Sequence, residues 1–149
     1  MQKEITLRER VLFLTHVPGF NNLTQDEITD YIAPIITLSE YEPGQTIVQR
    51  GTIGQTVYFL YSGRAKVELS LEQGKREQFS IEKGEIFGEM ALVSKERRSA
   101  DVIAMTEAIW LSINIETFHA IMMSHWRITK AVASLIGSRR ISRFSRSLR

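Results

Sequence analysis

Between Gly88 and Ala100 the chain places a glycine, a carboxylate (Glu89), a short apolar run (Met90-Ala91-Leu92-Val93) and a guanidinium with a hydroxyl beside it (Arg98-Ser99). Gly88 lets the backbone turn sharply and approach a bound group closely, with no Cβ in the way. The apolar run can open a helix, whose first N–H groups at Met90 and Ala91 lack intrahelical acceptors and together favour an anion. Arg98 is suited to closing such a site, because its planar fork donates two parallel hydrogen bonds to phosphate oxygens where a lysine offers a point charge. Glu89 beside a phosphate is repulsive unless it accepts from a donor, and a sugar hydroxyl is that donor. The set therefore matches a ligand that carries a phosphate and a ribose hydroxyl together. A Glu and an Arg nine positions apart also fit a plain surface ion pair, worth about 0–1 kcal/mol, so the surrounding chain has to decide.

That chain is punctuated in three parts. Up to about residue 36 the rhythm is helical, with Leu7, Val11 and Leu14, then Ile28, Ile32 and Ile35, on apolar faces. Thr24-Gln25-Asp26-Glu27 reads as a capping box that starts a second helix. Glycines at 44, 51, 54, 63, 74 and 84 then recur too closely for ordinary helices. Between and beyond them lie β-rich runs at Thr46 to Val48, Thr56 to Tyr61, Ala65 to Leu71, Arg76 to Ile81, Ala100 to Met105 and Ala108 to Ile113. Glu72-Gln73-Gly74-Lys75 reads as a hairpin turn. Short strands with regular turns predict a small barrel or double-sheet jelly roll. After Ile113 the period is helical again: Asn114 is placed to cap a helix through Phe118, Ile121 and Met122, and Trp126 to about Arg146 reads as a longer one with Ile128, Val132, Leu135 and Ile136 on one side. Gly137 weakens its middle by about 1 kcal/mol relative to alanine, as a hinge or as a point of close helix approach.

Composition bounds the rest. A chain of 149 residues that is 43% hydrophobic supports one core. With no cysteine there is no disulfide framework, and with no signal-like start the expectation is a cytoplasmic protein. Every apolar run is too short to cross a bilayer. His16, His119 and His125 are scattered without metal-ligand spacing, and neither a Gly-x-Ser-x-Gly nor a Walker-type loop occurs, so the reading is not an enzyme and no metal or cofactor is expected. Net charge is +2, but Arg139, Arg140, Arg143, Arg146 and Arg149 close the chain without an acid, which leaves −3 for the preceding 138 residues. Interleaved with serines, this stretch suits phosphate or anionic lipid; it equally suits a solvated helix end whose cations meet the negative pole of the helix dipole.

The stretch Phe87-Gly88-Glu89-Met90-Ala91-Leu92, followed by Arg98-Ser99-Ala100 and Val102, resembles the phosphate-binding cassette of the cyclic nucleotide-binding domain family. The likeness extends through Phe13-Leu14-x-x-Val17-Pro18-x-Phe20, Tyr41-x-Pro43-Gly44 and Gly51-x-x-Gly54-x-x-x-Tyr58-x-x-x-x-Gly63, and so covers nearly the whole chain. Thr52-Ile53 and Arg50 depart from the usual acidic and proline residues of one turn.

The resemblance implies an α+β fold, an eight-stranded antiparallel β-barrel or jelly roll (37–113) between N-terminal helices (1–36) and C-terminal lid helices (114–149), all in one domain. It implies phosphate contacts from Arg98, Ser99, Ala100, Met90 and Ala91, and ribose contacts from Gly88 and Glu89. The base pocket would be lined by Val67, Phe79 and Ile86 and capped near Ile141, Arg143 and Phe144. The expected function is a cyclic nucleotide sensor, cAMP ahead of cGMP, that signals by movement of its C-terminal helices. The alternative is a nucleotide-free barrel serving as an interaction or dimerisation module. No helix-turn-helix follows the last helix, so the implied partner is an effector protein, a fused domain or a second copy through the C-terminal helix.

Overall fold

The computed structural model describes residues 4–70, 72–88, 97–134 and 136. These fall into two compact units, one of residues 37–115 and one that unites the segments up to Ile36 and from Glu116 onward.

Among the described residues the first unit contains eight strands: β1 (Thr37–Tyr41), β2 (Thr46–Val48), β3 (Thr56–Ser62), β4 (Ala65–Ser70), β5 (Arg76–Ile81), β6 (Ile86–Phe87), β7 (Ala100–Ala104) and β8 (Ala108–Asn114). They form two four-stranded sheets, ordered β1-β8-β3-β6 and β2-β7-β4-β5, with every pairing antiparallel. This is the expected jelly roll. β1 and β6 have no counterpart among the β-rich runs read from sequence. Thr37–Tyr41 is polar at Thr37, Ser39 and Glu40 and β6 is only two residues long, so neither carries a period of its own.

Alternation along the strands decides which residues meet inside. Tyr58 and Leu60 of β3, Val67 and Leu69 of β4, Phe79 and Ile81 of β5, Phe87 of β6, Ala100 and Val102 of β7, and Ala108 and Trp110 of β8 share one core cluster. In β2 two successive residues, Ile47 and Val48, both join it, because the β2–β7 register slips between Thr46 and Val48 and the bulge breaks the alternation. The central strand β8 is buried at every position from Ala108 to Ile113. The hairpin between β4 and β5 turns at Glu72–Gly74, where Gln73 (φ 64°) and Gly74 (φ 74°) are both left-handed.

In the second unit, α1 (Leu7–Thr15) starts at Thr6 with a reciprocal cap from Glu9. The capping box at Thr24 opens α2 (Gln25–Glu27) as read from sequence. The helical path then widens into a π-turn (Ile28–Ile32) and tightens into a 3₁₀ turn (Ala33–Ile35). Pro34 explains the change: it has no N–H to give, and its ring would crowd the Asp30 carbonyl of a regular helix, so the last donor before it, Ala33 N–H, reaches back to Ile28. α3 (Ile115–Ser124) follows β8, and helical residues 126–134 come after it. Phe20 and Phe118 meet edge to face at 6.1 Å, and Ile128 and Val132 are buried as their helical spacing predicts. Leu135 and Gly137 lie outside the described residues. No helix among the described residues is long and apolar enough to cross a membrane.

Candidate functional site

The loop from 49 to 55 joins β2 to β3, and the segment bearing Arg98 is stitched along it. Gly51 N–H donates to the Arg98 carbonyl (2.8 Å), Arg98 N–H donates to the Thr52 carbonyl (2.7 Å), and Ile53 bridges Arg97 in antiparallel fashion. Arg97 Nη1 donates to the Gly51 carbonyl (2.7 Å), and Arg50 N–H donates to the Asp101 carboxylate (2.7 Å). Thr52 and Arg50 enter these bonds through main-chain atoms. Unusual side chains at 50, 52 and 53 therefore leave the arginine's anchor in place.

Arg98's side chain is half-buried and turned toward β3, where Nη2–H donates to the Thr56 carbonyl at 2.7 Å. Its Cζ lies 5.6 Å from the centre of the Phe87 ring, a cation–π contact. Two glycines make room for it. A Cβ on Gly54 would stand 2.5 Å from Arg98 Cζ, and one on Gly88 would stand 2.6 Å from Nη1 and 2.7 Å from the Thr56 oxygen. Gly88 is also left-handed at φ +88°. Gly54 has no such backbone demand, so closeness to the guanidinium is what its missing side chain serves.

A cavity of about 470 Å³ opens beside this arginine, lined among others by Val48, Gln49, Thr52, Gln55 and Tyr58. Arg98 is the one charged side chain among the described residues that line it. The size is that of a small-ligand site, and the combination of one cation with several neutral polar groups fits an anionic, hydroxyl-bearing ligand. Deeper in, Tyr58 meets Trp110 edge to face at 5.9 Å. The buried Trp110 Nε1 has no hydrogen-bond partner among the described residues. Burial, with Tyr58 nearby, pushes the Tyr41 phenol above its ordinary pKa, which keeps it neutral.

Of the residues read from sequence as phosphate contacts, Arg98 reaches the cavity, Ser99 is exposed beside it, and Ala100 is buried at the start of β7. Gly88, read as a ribose contact, is buried against the guanidinium. Val67 and Phe79 are cross-strand partners in the core cluster. Ile86 is not in that cluster; its neighbour Phe87 is, because adjacent strand residues face opposite ways. Glu89, Met90, Ala91, Leu92, Ile141, Arg143 and Phe144 lie outside the described residues. Gly54, Thr56 and Tyr58 carry parts of the geometry that sequence reading left to turns and strands. Phe87 belongs to the cassette pattern, but its contact with Arg98 has no signal in the sequence, since a carbonyl acceptor and a ring at close range leave no mark in residue type. Among the described residues no group of three or more His, Cys, Asp or Glu could hold a metal. His16 and His125 serve helix ends: His16 Nδ1 lies 2.9 Å from the Leu12 carbonyl, and the His125 ring lies 3.9 Å from that of Tyr31.

Known proteins resemble this chain in sequence and in fold. The chain is 36% identical over 110 residues to a cGMP-dependent protein kinase of Toxoplasma gondii, covering 74% of this chain and 11% of that one. It is 34% identical over 110 residues to a cAMP-dependent protein kinase regulatory subunit of Colletotrichum orbiculare, covering 74% and 27%. The chain thus spans between 11% and 27% of the length of these two curated relatives. Among solved structures, the catabolite activator protein of Thermus thermophilus superposes with a TM-score of 0.75 at 25% identity, over 88% of this chain and 61% of that one. The regulatory domain of Toxoplasma gondii PKA crystallised with cAMP gives 0.76 at 22% identity, over 91% and 50%, a likeness of fold. Residues 38–125 match the sequence pattern of one family from the edge of β1 past the end of α3, and with the two-sheet barrel and the slotted arginine this settles the matter: the chain belongs to the cyclic nucleotide-binding domain family.

Proposed function

We propose that this domain is a sensor that binds cAMP in preference to cGMP through Arg98 and passes occupancy to its C-terminal helices. The observation that carries the reading is the Arg98 guanidinium, held between Gly54 and Gly88 by the Thr56 carbonyl at the edge of a nucleotide-sized cavity. In this reading Arg98 pairs with the ligand phosphate, the Ser99 hydroxyl lies beside it, and the N–H groups following Gly88 complete the anion site with Glu89 on the ribose. Val67 and Phe79 offer the apolar wall for the base. Ligand binding then shifts the population of positions open to the helices after Ile115, by as much as its affinity for those positions differs. The output belongs to a fused or partner domain.

Isothermal titration of the purified chain with cAMP, cGMP and linear AMP tests this. Micromolar or tighter binding is expected for a cyclic nucleotide, tighter for cAMP than for cGMP and absent for linear AMP. Arg98→Ala should cost roughly 2–5 kcal/mol of that affinity, because a desolvated phosphate loses its partner. A folded protein that binds neither cyclic nucleotide would instead be a barrel kept as an interaction module.

A further inference from the structure

The loop from 49 to 55 carries the chain from one sheet to the other, since β2 and β3 belong to different sheets. β2 anchors it poorly: this strand is three residues long, lies at the edge of its sheet and is bulged against β7. Yet the loop supplies Gln49, Thr52, Ile53 and Gln55 to the cavity wall and Gly54 to the space beside Arg98. Within the loop the Thr52 hydroxyl closes a turn by donating to the Gln49 carbonyl at 2.6 Å. Its place on the barrel depends on bonds made from outside.

Those bonds come from the segment that bears Arg98. Two are main-chain bonds between residue 98 and Gly51 and Thr52, open to any side chain at that position. Two more come from side chains on either side of the arginine: Arg97 Nη1 donates to the Gly51 carbonyl, and the Asp101 carboxylate accepts from Arg50 N–H, each at 2.7 Å. Neither Arg97 nor Asp101 lines the cavity. Asp101 is poorly placed for a plain surface role, because its partner across the β4–β7 pair is another carboxylate, Glu68, and like charges directly opposite destabilise a sheet. Glu68 is itself engaged by Lys66 (3.2 Å) and Gln78 (3.0 Å). The bond to the loop is what offsets that placement for Asp101.

We propose that Arg97 and Asp101 are positioning residues of the nucleotide site, a role that rests on Arg98 being the partner of the ligand phosphate. Gripping the loop at Gly51 and Arg50, they keep Gly54 against the guanidinium and Gln49, Thr52 and Gln55 in the cavity wall before the ligand arrives. A loop already ordered has less freedom to lose on binding, and the affinity gains by that difference. Both act through the loop main chain and neither through contact with the ligand. Their opposite charges make this separable from a direct effect on an anion: the field of Asp101 alone opposes phosphate binding, whereas its bond to the loop favours it.

The test is titration of the full chain and of four variants with cAMP and cGMP, below the melting temperature of each. Arg97→Met and Asp101→Ala should each weaken both nucleotides about fivefold. Asp101→Asn keeps an oxygen for Arg50 N–H and should bind within about twofold of the unaltered chain. The double variant Arg97→Met with Asp101→Ala has the net charge of the unaltered chain and should bind at least as weakly as either single variant, since both release the same loop. Affinity raised by Asp101→Ala, or restored in the double variant, overturns the role in favour of charge alone. Asp101→Asn binding as weakly as Asp101→Ala also overturns it. Binding by the unaltered chain with no loss in either single variant overturns this role and leaves the sensor reading standing, whereas a folded unaltered chain that binds neither nucleotide overturns both.

Discussion

Gly88 and Arg98 occupy each other's space: the position a Cβ would take on Gly88 is 2.6 Å from Arg98 Nη1. The same Cβ would be 2.7 Å from the Thr56 carbonyl oxygen that accepts from that guanidinium. Gly88→Ala therefore meets a left-handed backbone, a main-chain oxygen and the arginine at once. The expected outcome is a loss of stability of about 1–3 kcal/mol together with at least tenfold weaker cyclic nucleotide binding, checked by thermal denaturation and titration of the same sample.

Gly54→Ala separates these effects. The three atoms its Cβ would meet most closely all belong to the end of the Arg98 side chain, at 2.5 Å from Cζ, and the backbone there needs no positive φ. Stability should change by less than about 1 kcal/mol, since a flexible side chain can move aside. Affinity should still fall severalfold as the guanidinium leaves its slot. An affinity equal to that of the unaltered chain would show that the ligand does not need Arg98 where the structure holds it.

Arg98→Lys retains the charge and loses the fork. An ammonium cannot hold the Thr56 carbonyl and offer a phosphate two parallel hydrogen bonds at once. Binding intermediate between the unaltered chain and Arg98→Ala is expected, with a drop of about tenfold or more from the unaltered chain. Titration of the three proteins side by side gives the order.

The second unit has its own acid-sensitive joint. Glu27 accepts from Thr24 N–H at 2.9 Å and from Arg127 Nε at 2.9 Å. First that backbone bond and then Arg127 hold its carboxyl below the ordinary value. A carboxyl with a depressed folded pKa stabilises above its unfolded pKa and loses that contribution as pH falls through the folded one. Melting temperature should thus decline as pH drops below about 4.3, and Glu27→Gln should flatten this part of the curve. Thr24→Ala should cost about 1 kcal/mol at neutral pH through loss of the cap.

Much of the fold was legible because its signals are local. Thr24 and Glu27 form a cap within one turn, so residue type and spacing specify it. The runs at Thr46–Val48 and Arg76–Ile81 became strands with those same ends, since β-rich composition and flanking turns act over a few residues. Thr37–Tyr41 was not legible. It is a strand because β8 offers it a partner from Thr37↔Ser112 to Tyr41↔Ala108, some seventy residues away in sequence.

The candidate site divides in the same way. By itself the sequence determined the chemistry: a guanidinium after a glycine turn, a hydroxyl beside it, and a pattern of short strands to hold them, since charge, hydrogen-bonding capacity and backbone freedom belong to residue types. Tertiary structure alone decided that Gly54 and Gly88 flank Arg98, that Thr56 holds it through a main-chain oxygen, and that Phe87 and not its buried neighbour Ile86 joins the cluster shared by the two sheets. Those are relations between atoms brought together by strand pairing and register, and a one-residue difference in register sends neighbouring side chains to opposite faces.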